Sequence, residues 1–371
     1  MNDRHGQSQC NTLLPDAGPP SRSLTVLRSR GAMVVMALAG IAMAGCTSEL
    51  AVTPPAIVEP VEEPTPAPVG VRIGVVLPPA DAWHPDIIDE MRRDLAVVRA
   101  TAREGVHELA SYVPDSEMFI GDLVGYLAAA GFDITCALTT GSSSAVRQQH
   151  ANLPQQRFCA LVTATLPTEE APGFDLMVLR TAEFGHVVGV AAAAASEEAV
   201  GYVLAPHDLE QGRFRDGLLA ALATTNVVDV DPELDGVAAA VSAMEQGADV
   251  VVIGGGPWAV EAAEAAIARG ARVVVPDAIA RRLDDDAVVA TWRIQWHRVL
   301  RGPVDRLLER EAVVPLTQGV AEGVLVMRFG GDVPFGVNAQ VNRAIRELSE
   351  GVRGPLDPRS SPLGPGSDLN E

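Results

Sequence analysis

No lysine occurs anywhere in the 371 residues, so all 28 basic side chains are arginine. Together with the abundance of Ala, Val and Gly, this reflects the codon bias of a GC-rich genome, and arginine abundance carries no functional weight. Against them stand 48 carboxylates, a formal net charge of −20 that repels phosphate backbones and excludes a nucleic-acid partner. Aromatic residues are scarce, with only four Trp and three Tyr. Four cysteines in no Cys-x-x-Cys or Cys/His spacing exclude a zinc site of the usual kind, and no cofactor or metal is expected. The apolar run Ala32–Ala44 spans thirteen residues, short of the ~20 that cross a bilayer.

Two arginines, Arg28 and Arg30, precede that run, and it closes on Met43-Ala44-Gly45-Cys46. Charged, apolar and small-residue regions in this order make a secretory signal. Small residues directly before a Cys resemble the lipobox of bacterial lipoproteins. That resemblance implies cleavage after residue 45, lipid (palmitate) on Cys46, and anchorage at the extracytoplasmic face of the cell membrane. The stretch ahead of Arg28 is longer than such a signal needs. Removal of residues 1–45, with four Arg and two Asp, takes the net charge from −20 to −22, so attachment by lipid rather than by a basic patch is expected. Residues 46–70 are rich in Pro and Glu and read as an extended tether, and residues 352–371 as a disordered tail.

Between them, apolar β-branched runs alternate with Ala-rich amphipathic segments, which predicts an α/β body with parallel sheets. Strands are expected at 71–77, 106–112, 133–139, 157–163 and 175–180, then at 199–205, 226–230, 248–254 and 271–276, with helices between. Two consecutive Rossmann-like lobes follow, 71–181 and 182–279, each completed by part of 280–350 and joined by multiple hinge crossings. In that last part, Val288–Trp296 alternates like a strand and places Trp292 and Trp296 on one face for core or hinge packing, while 302–311 is expected to be helical. Cys136 and Cys159 head the matching tripeptides Cys-Ala-Leu on neighbouring strands. An oxidising compartment allows a disulfide, but two buried thiols are the preferred reading, because adjacent parallel strands seldom offer bridge geometry.

The segment Gly247–Asp277 reads as a complete strand–helix–strand unit whose Gly254-Gly255-Gly256-Pro257-Trp258 turn lies at a strand's carboxyl end, where such sheets bind ligands. Gly254, Gly256 and Ala259, with Asp277 about twenty residues on, also fit a dinucleotide fingerprint, which would make the chain a cofactor-dependent oxidoreductase. No hydride-site residues follow, and the unit does not open a domain, so this alternative ranks last and the chain is read as non-catalytic.

The order and spacing of several pieces resemble the basic membrane protein group of ABC-transporter substrate-binding lipoproteins, which includes purine-nucleoside receptors. These pieces are Gly131-Phe132-Asp133-Ile134 with Thr140-Gly141, Asn152-Leu153-Pro154 with Arg157-Phe158, Glu183-Phe184-Gly185 with the alanines after it, Phe214-Arg215-Asp216-Gly217, Gly247-Ala248-Asp249, Pro276-Asp277, and Ala321-Glu322-Gly323. The resemblance implies a type I periplasmic-binding-protein fold, a nucleoside-like small polar ligand held between the lobes, and an ABC permease as partner. It departs at the first loop, Leu77–Pro85, where only Asp81 stands for the family's carboxylates, so a degenerate member acting as a surface sensor or interaction module is the runner-up. Ligand-binding candidates just past strand ends are Asp81, Trp83, Thr140, Ser142, Gly255, Trp258 and Asp277, with Thr163 and Pro206–Asp208 on neighbouring loops. Trp83 and Trp258 offer stacking faces, and Asp277 a carboxylate for ligand hydroxyl or amine groups.

Overall fold

The fold is built twice from the same strand order. In the computed structural model the described residues are 70–101, 105–139, 141–162, 174–205, 211–228, 230, 234–313, 315–331, 333 and 335–351. They lie within one unit, Pro64–Glu371. The expected signal, tether and tail, with Cys46, and the candidates Thr140, Thr163 and Pro206–Asp208 fall outside the described residues.

The first sheet holds β1 (Val71–Val76), β2 (Val106–Tyr112), β3 (Ile134–Ala137), β4 (Arg157–Val162) and β5 (Asp175–Leu179), with a late strand, β11 (Leu316–Gln318), on its edge. Its order is β11-β5-β4-β3-β1-β2, and all pairs are parallel. The second sheet holds β6 (Val200–Val203), β7 (Val227–Val228), β8 (Val250–Ile253), β9 (Arg272–Pro276), β10 (Val288–Ile294) and β12 (Leu325–Phe329). Its order, β12-β10-β9-β8-β6-β7, repeats the first, except that β12 runs antiparallel to β10. Runs such as VVVI in β8 are buried at every position, as strands covered by helices on both faces must be.

Helices supply the covers. Around the first sheet lie α1 (Pro85–Thr101), α2 (Ile120–Ala129) and α3 (Ser143–Asn152), and the second carries α4 (Thr181–Ala195), α5 (Gln211–Ala221), α6 (Gly236–Glu245), α7 (Ala259–Ile267) and the short α8 (Asp277–Ala280). Then come α9 (Trp296–Glu309) and α10 (Phe335–Ser349), the latter packed on α4. On one face of the first sheet, Val76, Phe158 and Phe174 form a core with Val124 and Leu127 of α2 and Val146 of α3. A larger core joins the other face of that sheet to α1, α9 and the second sheet. Helices α4 and α5 approach so closely that a methyl group on Gly217 would fall onto the carbonyl oxygen of Ala182. No helix among the described residues is long and apolar enough to cross a membrane.

Three segments pass between the sheets: the junction of β5 with α4 at Arg180, the β10–α9 junction at Gln295, and residues 319–324 between β11 and β12. They are stitched together. Arg180 pairs with Glu183 (2.7 Å) and Glu322 (2.9 Å), Glu322 also accepts from the Gly319 amide (2.6 Å), and the Gln295 amide donates to the Val324 carbonyl (2.7 Å).

Two expectations for this region are corrected. Trp296 is not a strand residue sharing a face with Trp292; β10 stops at Ile294, and Trp296 opens α9. The helix expected at 302–311 starts six residues earlier, as α9 at Trp296, and carries Pro303 inside it. Both tryptophans are nevertheless buried, with Trp292 against the Phe214 ring at 5.6 Å. The third outcome concerns Cys136 and Cys159, which the structure joins as a disulfide instead of leaving as thiols. They are direct partners in the β3–β4 register, with Cα atoms 4.4 Å apart, within bridging range.

Candidate functional site

In each sheet the strand order reverses beside the first strand, between β1 and β3 and between β6 and β8. Open α/β sheets bind ligands at such switch points, outside the strands' carboxyl ends. Here the two switch points touch. The amide of His84, at the end of the loop after β1, donates to the carbonyl of Gly255, in the turn after β8, at 3.0 Å.

Local sequence explains how His84 is held. Pro85 starts α1 with its φ already set and no amide to satisfy. The carbonyl of His84 accepts from Ile87 (3.0 Å), and its Nδ1 accepts from the Asp86 amide (3.2 Å), so His84 caps the helix. Its own amide is left pointing out of the turn, toward Gly255. In the facing turn, a side chain on Gly256 would crowd Ala205 and Trp258, which explains the glycine at that position.

From this point α1 lays a row of carboxylates across the second half of the chain. Asp86, Glu90 and Asp94 follow i, i+4, i+8 spacing and share one helix face. Asp86 receives Arg282 at 2.8 and 2.9 Å, a bidentate fork. Glu90 receives Arg281 at 2.6 Å, and Asp94 receives both the amide (3.0 Å) and Nδ1 (2.8 Å) of His297. The hydrogen bond from Arg282 holds the Asp86 carboxyl below the usual range. Burial pushes Glu90 the other way, above its usual range, against the attraction of Arg281.

The candidates from sequence fall into this frame unevenly. Gly255 lies at the contact itself, and Asp81 is exposed on the facing loop. Trp83, next to His84, is 6% exposed and packed into the core. Ser142 is buried, and its Oγ donates to the Thr139 carbonyl at 2.7 Å, which secures the turn into α3. Trp258 ends the glycine turn and lies against Gly236 at the start of α6, where only a residue without a side chain leaves room for the indole. Asp277 is the first residue of α8 and 6% exposed; it receives Thr291 Oγ1 (3.0 Å), Arg281 (3.2 Å) and Arg328 (3.3 Å). Since Arg281 also holds Glu90, Asp277 anchors the same network that carries α1. The structure thus brings Gly255, Asp81 and Trp83 to one locus, and connects Asp277 to it through arginine.

Sequence reasoning missed the α1 row and its partners. The four-residue spacing of Asp86, Glu90 and Asp94 was visible, but nothing local points to arginines about 190 positions away. Among the described residues no group of three or more His, Cys, Asp or Glu could hold a metal ion.

No family model matches the chain, and no curated protein matches its sequence. Solved structures do. A solute-binding protein of an ABC transporter system from Aeropyrum pernix superposes with a TM-score of 0.60 at 17% identity, over 76% of this chain and 92% of that one. A transcriptional activator of the comK gene from Bacillus halodurans gives 0.58 at 17% identity, over 76% and 99%. An ABC-transporter solute-binding protein from Conexibacter woesei gives 0.58 at 16% identity, over 76% and 97%. At such identities the likeness concerns architecture, and it agrees with the paired sheets of repeated order and their three crossings: the chain has the α/β, two-sheet fold of the type I periplasmic binding proteins.

Proposed function

We propose that the protein is a non-catalytic binding protein that captures a small polar solute between its two sheets and hands it to an ABC permease. The observation that carries this reading is the His84–Gly255 contact, which brings the switch-point loops of both sheets to one place where a solute would be enclosed from two sides. The solute-binding proteins from Aeropyrum and Conexibacter share the architecture. The resemblance to the basic membrane protein group favours a nucleoside-like solute, with Asp81 and Gly255 lining the site. Lipid on Cys46 would hold the protein at the extracytoplasmic face of the cell membrane.

Thermal-shift measurements on the full chain against nucleosides, sugars and amino acids test the reading. A shift with one class, saturable with concentration, is expected; silence across all three overturns it. Anchorage is tested separately by Cys46→Ser, which should release the protein from the membrane fraction and abolish palmitate labelling.

A second reading, a binding-protein relative that serves as surface sensor or interaction module, is favoured by the state of Asp277. Its carboxylate is already shared by two arginines and a threonine, so it offers a ligand less than the sequence suggested. The similarity to a transcriptional activator shows that this architecture is not confined to transport.

A further inference from the structure

A cavity of about 410 Å³ lies between the C-terminal half of α1 and α9, closed by the crossing that follows β11. It shares no residue with the His84–Gly255 contact, and its size is that of a small-molecule site. Val97 and Val98 of α1, Val304 of α9 and Val324 give it an apolar wall.

The charged groups around it are paired with one exception. Glu322 turns its carboxylate to Arg180 (2.9 Å) and the Gly319 amide (2.6 Å). Asp305 is taken by Arg301 at 3.1 Å, and His297 by Asp94 at 2.8 Å. Arg298 donates to the backbone carbonyl of Glu322 at 3.1 Å, a neutral acceptor, and has no carboxylate partner among the described residues. An arginine beside an apolar wall, with donors to spare, is built to receive a planar anion whose body is aliphatic.

We infer that this cavity is a second binding site, for a small monocarboxylate with a short branched aliphatic body, held by Arg298 at one end and by Val97, Val98, Val304 and Val324 at the other. The site does not rest on the reading of the interlobe region. Its walls come from α1, which covers the first sheet, and from α9 and residue 324, which belong to the crossings.

The probe is 3-methylbutanoate, with the isosteric neutral 3-methylbutanamide as control, titrated into the full chain and followed by ligand-detected NMR. A ligand of this size binds with Kd on the order of 1 mM. The carboxylate should bind at least tenfold more tightly than the amide. Arg298→Gln, at an exposed position, should erase that preference without changing the melting temperature. Val98→Phe, which fills the cavity, should abolish binding of both. Absence of binding to the wild type, or an undiminished carboxylate preference in Arg298→Gln, overturns the inference. So does binding that survives both variants and is lost in Asp277→Asn, since the probe then sits in the interlobe region.

Discussion

Arg282 presents Nε and Nη2 to the two carboxylate oxygens of Asp86 at 2.8 and 2.9 Å, joining positions 196 residues apart across the two sheets. Arg282 is 61% exposed and Asp86 22%, so solvent screens the pair, and only a weak, salt-sensitive coupling is expected. A double-mutant cycle with Asp86→Asn and Arg282→Gln, read by urea unfolding, measures it. The coupling should fall when salt is raised from 0.05 to about 0.5 M. A value unchanged by salt would mean that the fork acts by shape and not by charge.

Glu90 and Asp86 should respond to acid with opposite signs. Burial raises Glu90, so its contribution to stability is full below the ordinary value of 4.5 and is lost as pH rises through the raised folded value. Asp86 is lowered by Arg282, so its contribution is present above the ordinary value of 3.8 and is lost as pH falls through the lowered folded value. The stability difference between wild type and Glu90→Gln should therefore shrink from pH 4.5 upward. The difference between wild type and Asp86→Asn should hold at neutral pH and shrink only below about pH 4. Denaturation curves across pH 3–8 decide both.

Helix packing gives a steric test. Gly217→Ala places a methyl on the Ala182 carbonyl oxygen in the α4–α5 contact and should cost about 3 kcal/mol. Gly212, in the same helix, has nothing within 4 Å of the corresponding position, and Gly212→Ala should stabilise by roughly 0.5 kcal/mol through helix propensity. Equal effects at the two positions would contradict the close approach of the helices.

The Cys136–Cys159 bridge closes a loop of 23 residues between two buried strands. Its reduction in the unfolded chain should lower stability by about 3 kcal/mol. Thiol titration in denaturant, with and without prior reduction, should reveal these two thiols only after reduction.

Much of the architecture was legible because buried parallel strands write themselves as β-branched runs, as in Val250–Ile253 and Val273–Val275. What escaped was set by distance along the chain. Strand β11 is three residues with no pattern of its own, defined by pairing with β5 about 140 positions earlier. Helix α9 starts at Trp296, just after the Gln295 amide bonds to the Val324 carbonyl, a partner that the expected 302–311 helix gave no sign of. The site was half legible. Strand-end loops could be named from the glycine turn and from Trp83, but whether a side chain faces a crevice or the core depends on partners such as Gly236 for Trp258 and Arg328 for Asp277, which no local pattern announces.

The position of β11 also dictates an order of events. Every residue of β5 is buried in the finished sheet, and one of its two neighbours is supplied by residues 316–318. As the chain emerges from its amino end, β1 to β5 can assemble early, yet β5 then stands as a bare apolar edge until more than a hundred further residues have been made. The first half of the fold has to wait, unfinished and open to wrong pairing, for a three-residue strand near the far end of the chain. Chain length synthesised, more than local stability, limits when this protein becomes native, and truncation before residue 316 should yield a species that aggregates through its β5 edge.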